Sequence, residues 1–118
     1  MGLRNLSLSL KRVAYDPSSD RKKVAVAEAY TTFYHGQTTV GTSAVQLTTE
    51  SIECKKGVLI KADDDNTGNI YVGNSDSVTS STGFKLKAGQ GVTVEINDPS
   101  KIYLIADADN QKVYWIAV

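Results

Sequence analysis

The chain has 118 residues, 41% of them apolar and 22% charged, which suits one folded domain and is too apolar for wholesale disorder. Thirteen basic residues offset thirteen acidic ones, so no long-range field gathers phosphate or anionic lipid, and neither nucleic acid nor a membrane is expected as a primary partner. A single cysteine excludes an internal disulfide and any site built from several thiolates of one chain.

Residues 1–35 differ in character from the rest and are expected to form an N-terminal arm ahead of a β-domain over residues 36–118. Leu6, Leu8 and Leu10 alternate with Ser7 and Ser9; Asp16-Pro17-Ser18-Ser19-Asp20 then breaks the chain before the basic run Arg21-Lys22-Lys23. Between Val24 and Tyr34, alanines and Glu28 permit a short helix, whereas Val24, Val26, Thr31, Thr32 and Phe33 favour strand. An extended arm that docks on a neighbour is expected. The N-terminus lacks the continuous apolar block of a secretion signal, and no stretch is long and apolar enough to span a bilayer, so a protein made and kept in solution is expected. Gly2 is followed by Leu6 where a myristoylation motif wants Ser or Thr, and Asn5-Leu6-Ser7 is a glycosylation sequon with no secretion route to use it.

From Ala44 onward the pattern is one of short apolar segments separated by Gly, Asn, Asp and Ser clusters. It predicts strands at Ala44 to Thr49, Gly57 to Ala62, Asn69 to Gly73, Gly83 to Lys87, Val92 to Asn97, Lys101 to Ala106 and Lys112 to Val118. Val92, Val94 and Ile96 alternate with Thr93 and Glu95, a period of two. Strands this short, joined by short turns, leave no room for helical crossovers and should pair antiparallel. The expected fold is all-β: an antiparallel β-sandwich or jelly-roll-like module of about seven to nine short strands with an N-terminal arm. Ile102 to Ile105 and Val113 to Ile116 are apolar on both faces, so one face should meet the core and the other a partner or the arm. Two stretches echo each other, Leu59 to Tyr71 and Leu104 to Tyr114; each reads as a hairpin, an apolar strand running into an acidic turn and returning through an aliphatic residue followed by Tyr.

Each motif that could carry chemistry lacks the residue its chemistry most needs. Gly36-Gln37-Thr38-Thr39-Val40-Gly41-Thr42-Ser43 has Thr42 where a phosphate-binding loop needs lysine, and it reads as a linker into the next strand. Asp63-Asp64-Asp65-Asn66-Thr67-Gly68 opens like a calcium loop but has Asn74 where the closing Glu belongs; Asp63 and Asp65 are its calcium candidates, with Asp107 and Asp109 behind them. His35, the only histidine, stands in an expected Tyr34-His35-Gly36 turn with no recognisable nucleophile partner, and neither Gly41-Thr42-Ser43 nor Gly73-Asn74-Ser75 completes a nucleophile elbow. Cys54 precedes two lysines but reads as a small packing residue. No catalytic residue, cofactor or enzymatic activity is expected. Acids lie in separate turns without an aromatic cluster beside them, so a glycosidase pair is not indicated either.

The stretch from Gly36 to Val118 resembles a segment of tailed-bacteriophage and prophage structural proteins. The resemblance is carried by Gly36 to Thr42, Gln46-Leu47-Thr48, Cys54-Lys55, Ile60-Lys61-Ala62, Asn66-Thr67-Gly68 leading to Ile70-Tyr71-Val72-Gly73, Gly83-Phe84, Leu86, Ala88-Gly89, Val92 to Ile96, Ile102-Tyr103, Ile105-Ala106 and Asn110 to Val118. These are turn and strand signatures with no transferable active site, and they imply a virion structural protein of the head-decoration (cement) or fibre-base kind. The expected function is a capsid decoration protein located in the virion. It would bind the major capsid protein or another virion component as a symmetric homo-oligomer, preferably a trimer, because multivalent contact with a repetitive shell adds avidity. A receptor- or glycan-binding module of a fibre or tail is the alternative. Leu6, Leu8, Leu10, Tyr30, Phe33, Tyr34, Tyr103, Tyr114 and Trp115 are the candidate interface residues.

Overall fold

The computed structural model describes residues 31–118, so the arm expectations for Leu6, Leu8, Leu10 and Tyr30 lie outside the described residues. Eight strands follow in order: β1 (Tyr34–Val40), β2 (Val45–Gln46), β3 (Val58–Ala62), β4 (Ile70–Gly73), β5 (Phe84–Leu86), β6 (Gly91–Val94), β7 (Tyr103–Ala106) and β8 (Gln111–Ala117). They form two antiparallel four-stranded sheets, ordered β1-β8-β3-β6 and β2-β7-β4-β5. The fold is the expected all-β sandwich.

The pairing is nested: β1 with β8, β2 with β7, β3 with β6 and β4 with β5. A long antiparallel ribbon turning between β4 and β5 and then rolled gives this order, the jelly-roll arrangement, with β3·β8 and β4·β7 as the contacts made by rolling. Only β4 and β5 are consecutive strands within one sheet; every other connection crosses between sheets. The two acidic turns expected to close hairpins, Asp63 to Asn66 and Asp107 to Asn110, instead carry the chain from one sheet to the other, since β3 and β8 belong to the first sheet and β4 and β7 to the second.

All seven expected strands are present, five of them within the expected ends and β6 and β8 starting one residue earlier, at Gly91 and Gln111, and β1 is an eighth. It occupies the stretch read as a turn at Tyr34-His35-Gly36 and a linker beyond it, so the sandwich begins ahead of the expected boundary at Gly36. Residues facing inward along β1 are Tyr34, Gly36, Thr38 and Val40, opposite Ala117, Trp115, Val113 and Gln111. Only Val40 of these gives an aliphatic core signal, which is why alternation in the sequence does not reveal the strand.

The core lies between the sheets. Val40, Val58, Ile60, Ala62, Val113 and Ala117 line it from one side and Ile70, Leu86, Leu104 and Ala106 from the other, with Leu47, Cys54 and Ile102 closing it from the loops. In β3 the alternation is plain: Val58, Ile60 and Ala62 are fully buried while Leu59 and Lys61 face out. The outer face of the second sheet has its own cover. The β4–β5 loop folds back so that Val78 packs over Gly73 and Gly83, where any side chain would collide with it, and Tyr71 and Val78 are both buried.

Polar side chains fix the two ends. At one, Asn66 donates to and accepts from the Lys112 backbone, at 2.9 and 2.8 Å, standing in for a strand residue. Buried Gln111 accepts from the Gly68 N–H at 2.8 Å and donates to the Asp109 carbonyl and the Thr67 hydroxyl. At the other end Asp98 caps the short 3-10 turn Pro99–Lys101 and ties it to the β2–β3 loop through Ser51 and the Ile52 N–H.

Candidate functional site

Two surface features stand out from the scaffold, and strand register explains both. The first is the outer face of the β1-β8-β3-β6 sheet. Ile116 lies between His35 and Leu59 in adjacent strands, and Tyr114 lies between Gln37 and Lys61. Leu59 is 45% exposed and Tyr114 36%, and together with half-buried Ile116 and the stem of Lys61 they line a shallow apolar depression of about 230 Å³. Among the described residues no loop covers this face, in contrast to the second sheet. Lys112 places its ammonium 5.9 Å from the Tyr114 ring centroid, and the Asp63 carboxylate beside the phenol holds Tyr114 above its ordinary pKa.

The second feature is a groove of about 490 Å³ where the edge of β1 and the segment following β2 diverge. Phe33, Tyr34, His35, Gly36 and Gln37 form one wall, Leu47, Thr48, Glu50 and Ile52 the other, and Trp115 the floor. Tyr34 and Gly36 face inward by register, and Gly36 lets the indole slide under β1: a Cβ there would stand 2.9 Å from Trp115 Nε1. Phe33 and Tyr34 are 54% and 44% exposed, and the Phe33 and His35 rings lie 6.1 Å apart.

The five candidate interface residues that lie within the described residues therefore separate. Phe33, Tyr34 and Trp115 meet at the groove, Tyr114 belongs to the outer face of the first sheet, and half-buried Tyr103 stands on the other sheet. Trp115 is 7% exposed, a core residue that also lines the groove. Leu59, Ile116, Gln37 and Glu50 were not among the candidates. Leu59 carried a usable signal, an aliphatic out of phase with Val58 and Ile60.

The motifs read for chemistry have structural work instead. The glycine-bounded stretch is the end of β1 and the turn after it, where the chain's own Asp109 carboxylate accepts from the Thr42 N–H at 3.2 Å. Asp107 accepts from the Asn69 N–H and side chain and from the Tyr71 hydroxyl, and the Asn69 N–H above all holds its carboxyl below the ordinary value. Asp64 pairs with Lys61 at 3.6 Å across the surface. Asp63 and Asp65 are not gathered with further ligands: among the described residues no group of three or more His, Cys, Asp or Glu side chains converges to hold a metal ion. Cys54 is buried, donates to the Ile96 carbonyl at 3.1 Å, and has its thiol pKa raised by that burial.

No protein-family model, curated protein or solved structure matches the chain.

Proposed function

We propose that the chain is a non-enzymatic structural protein of a phage virion, a capsid decoration protein that attaches to the head surface as a symmetric homo-oligomer, with a trimer preferred. The observation that carries this reading is the outer face left without cover among the described residues, where Leu59 of β3 pairs with Ile116 of β8 and Tyr114 follows two residues along β8 on the same face. Burying an exposed leucine and its neighbours against a partner is favourable by about 25 cal/mol per Å² of apolar surface, and a flat β-face suits a broad, shallow contact. The balanced charge of the chain leaves little electrostatic repulsion between copies on a crowded shell. The turn and strand signatures that resemble those of tailed-phage structural proteins support it, and by fold analogy so does the recurrence of jelly rolls in viral shells.

The test is reconstitution. Shells lacking the protein, mixed with the purified full chain, should acquire stoichiometric, symmetric surface density. The Leu59→Asp variant should decorate them far less while keeping its melting temperature within a few degrees of the parent. Absence of density from the parent protein, or a monomer in sedimentation at high concentration, would count against the reading. Truncating Met1 to Lys23 in the same assay asks whether the arm contributes.

A further inference from the structure

We propose that the groove between β1 and the β2–β3 loop is a binding site for a neutral saccharide, separate from the docking face. Its walls present two kinds of chemistry in alternation. Phe33 and Tyr34 are exposed aromatic rings, suited to the apolar C–H face of a pyranose; Thr48 and Glu50 carry the donors and acceptors that ring hydroxyls require. At about 490 Å³ the groove lies within the range of small-molecule sites, ~300–1,000 Å³.

The floor adds an independent observation. Trp115 is 93% buried, its Nε1 lies under Gly36, and none of the hydrogen bonds among the described residues uses that N–H. A buried donor without an acceptor among the described residues is costly, and a ligand hydroxyl that reached this edge of the indole would satisfy it. Specificity follows from charge: Glu50 is the one carboxylate lining the groove and no lysine or arginine stands beside it, so a sialylated or phosphorylated ligand would meet that carboxylate without a permanent cation to offset it.

The chain's single tryptophan makes the site its own reporter. Intrinsic fluorescence of the full chain is titrated with glucose, galactose, N-acetylglucosamine and their disaccharides, with sialyllactose as the anionic control. At least one neutral sugar should give a saturable change with a dissociation constant of ~1 mM, sialyllactose should give none, and Tyr34→Ala should bind roughly tenfold more weakly. Tyr34→Phe should retain binding, Glu50→Gln should weaken it, and Leu59→Ser, on the docking face, should leave it unchanged; a melting curve for each variant separates lost binding from lost fold. No saturable change with any neutral sugar at ~100 mM would overturn the proposal. So would an equal response to sialyllactose, or a signal that follows protein concentration rather than sugar, which would mean that a second copy fills the groove.

Discussion

Gly36 and Trp115 form a matched pair across β1 and β8, a residue with no side chain over the largest one in the core. Gly36→Ala forces its Cβ to within 2.9 Å of the indole nitrogen, and because backbone holds one side and a packed core the other, relief requires moving the indole. The expected cost is ~1–3 kcal/mol, read as a lower melting temperature together with a shift in Trp115 emission. Asp98 acts at the same scale through charge. Donation from the Ser100 N–H first, then from the Ser51 and Ser100 hydroxyls, holds its carboxyl at about 2 against an ordinary 3.8. A depressed carboxyl contributes its stability above the unfolded value and loses it as pH falls through the folded one. Stability should therefore decline between pH 3.8 and about 2, and Asp98→Asn should remove part of that acid slope in melts taken across the range, while lowering stability at neutral pH.

Elements are held together by polar groups as much as by the apolar face. Gln111 opens β8 and is 2% exposed, with both ends of its amide bonded to the β3–β4 and β7–β8 turns. Gln111→Leu removes those partners and strands the Gly68 N–H, so chemical denaturation should report a loss of ~1–3 kcal/mol despite the gain in hydrophobicity. Seven strands could be recognised in the sequence because each is a short apolar segment between turn residues, with plain alternation in some, as Val58, Ile60 and Ala62 show in β3. β1 could not, since its inward residues before Val40 are Tyr34, Gly36 and Thr38; the β-branched run Thr38-Thr39-Val40 was the available signal. Nor could the sequence distinguish a hairpin from a crossing at the acidic turns. Turn residues report that the chain reverses, and which sheet receives it is decided by pairing partners far along the chain. The groove was hidden for the same reason, because Tyr34, Glu50 and Trp115 converge only after β1 pairs with β8.

At the scale of the whole molecule, nested pairing means that the first and last strands must meet: β1 and β8 are joined along seven residue pairs. Most contacts are therefore non-local, and refolding should occur over roughly milliseconds to seconds, as in other sandwiches, with stopped-flow Trp115 fluorescence as the probe. The same topology leaves two unlike faces: one sheet covered by the β4–β5 loop and the other presenting Leu59, Tyr114 and Ile116 without cover among the described residues. An exposed position such as Leu59 contributes little to the fold, so Leu59→Asp should change stability by no more than ~0.5 kcal/mol. The proposed attachment to a shell would place its heaviest demand on that face. Direct imaging of undecorated phage heads incubated with parent and Leu59→Asp protein is the decisive measurement. Symmetric density is expected with the parent and its loss with the folded variant; bare shells in both cases, or equal decoration in both, would contradict attachment through this face.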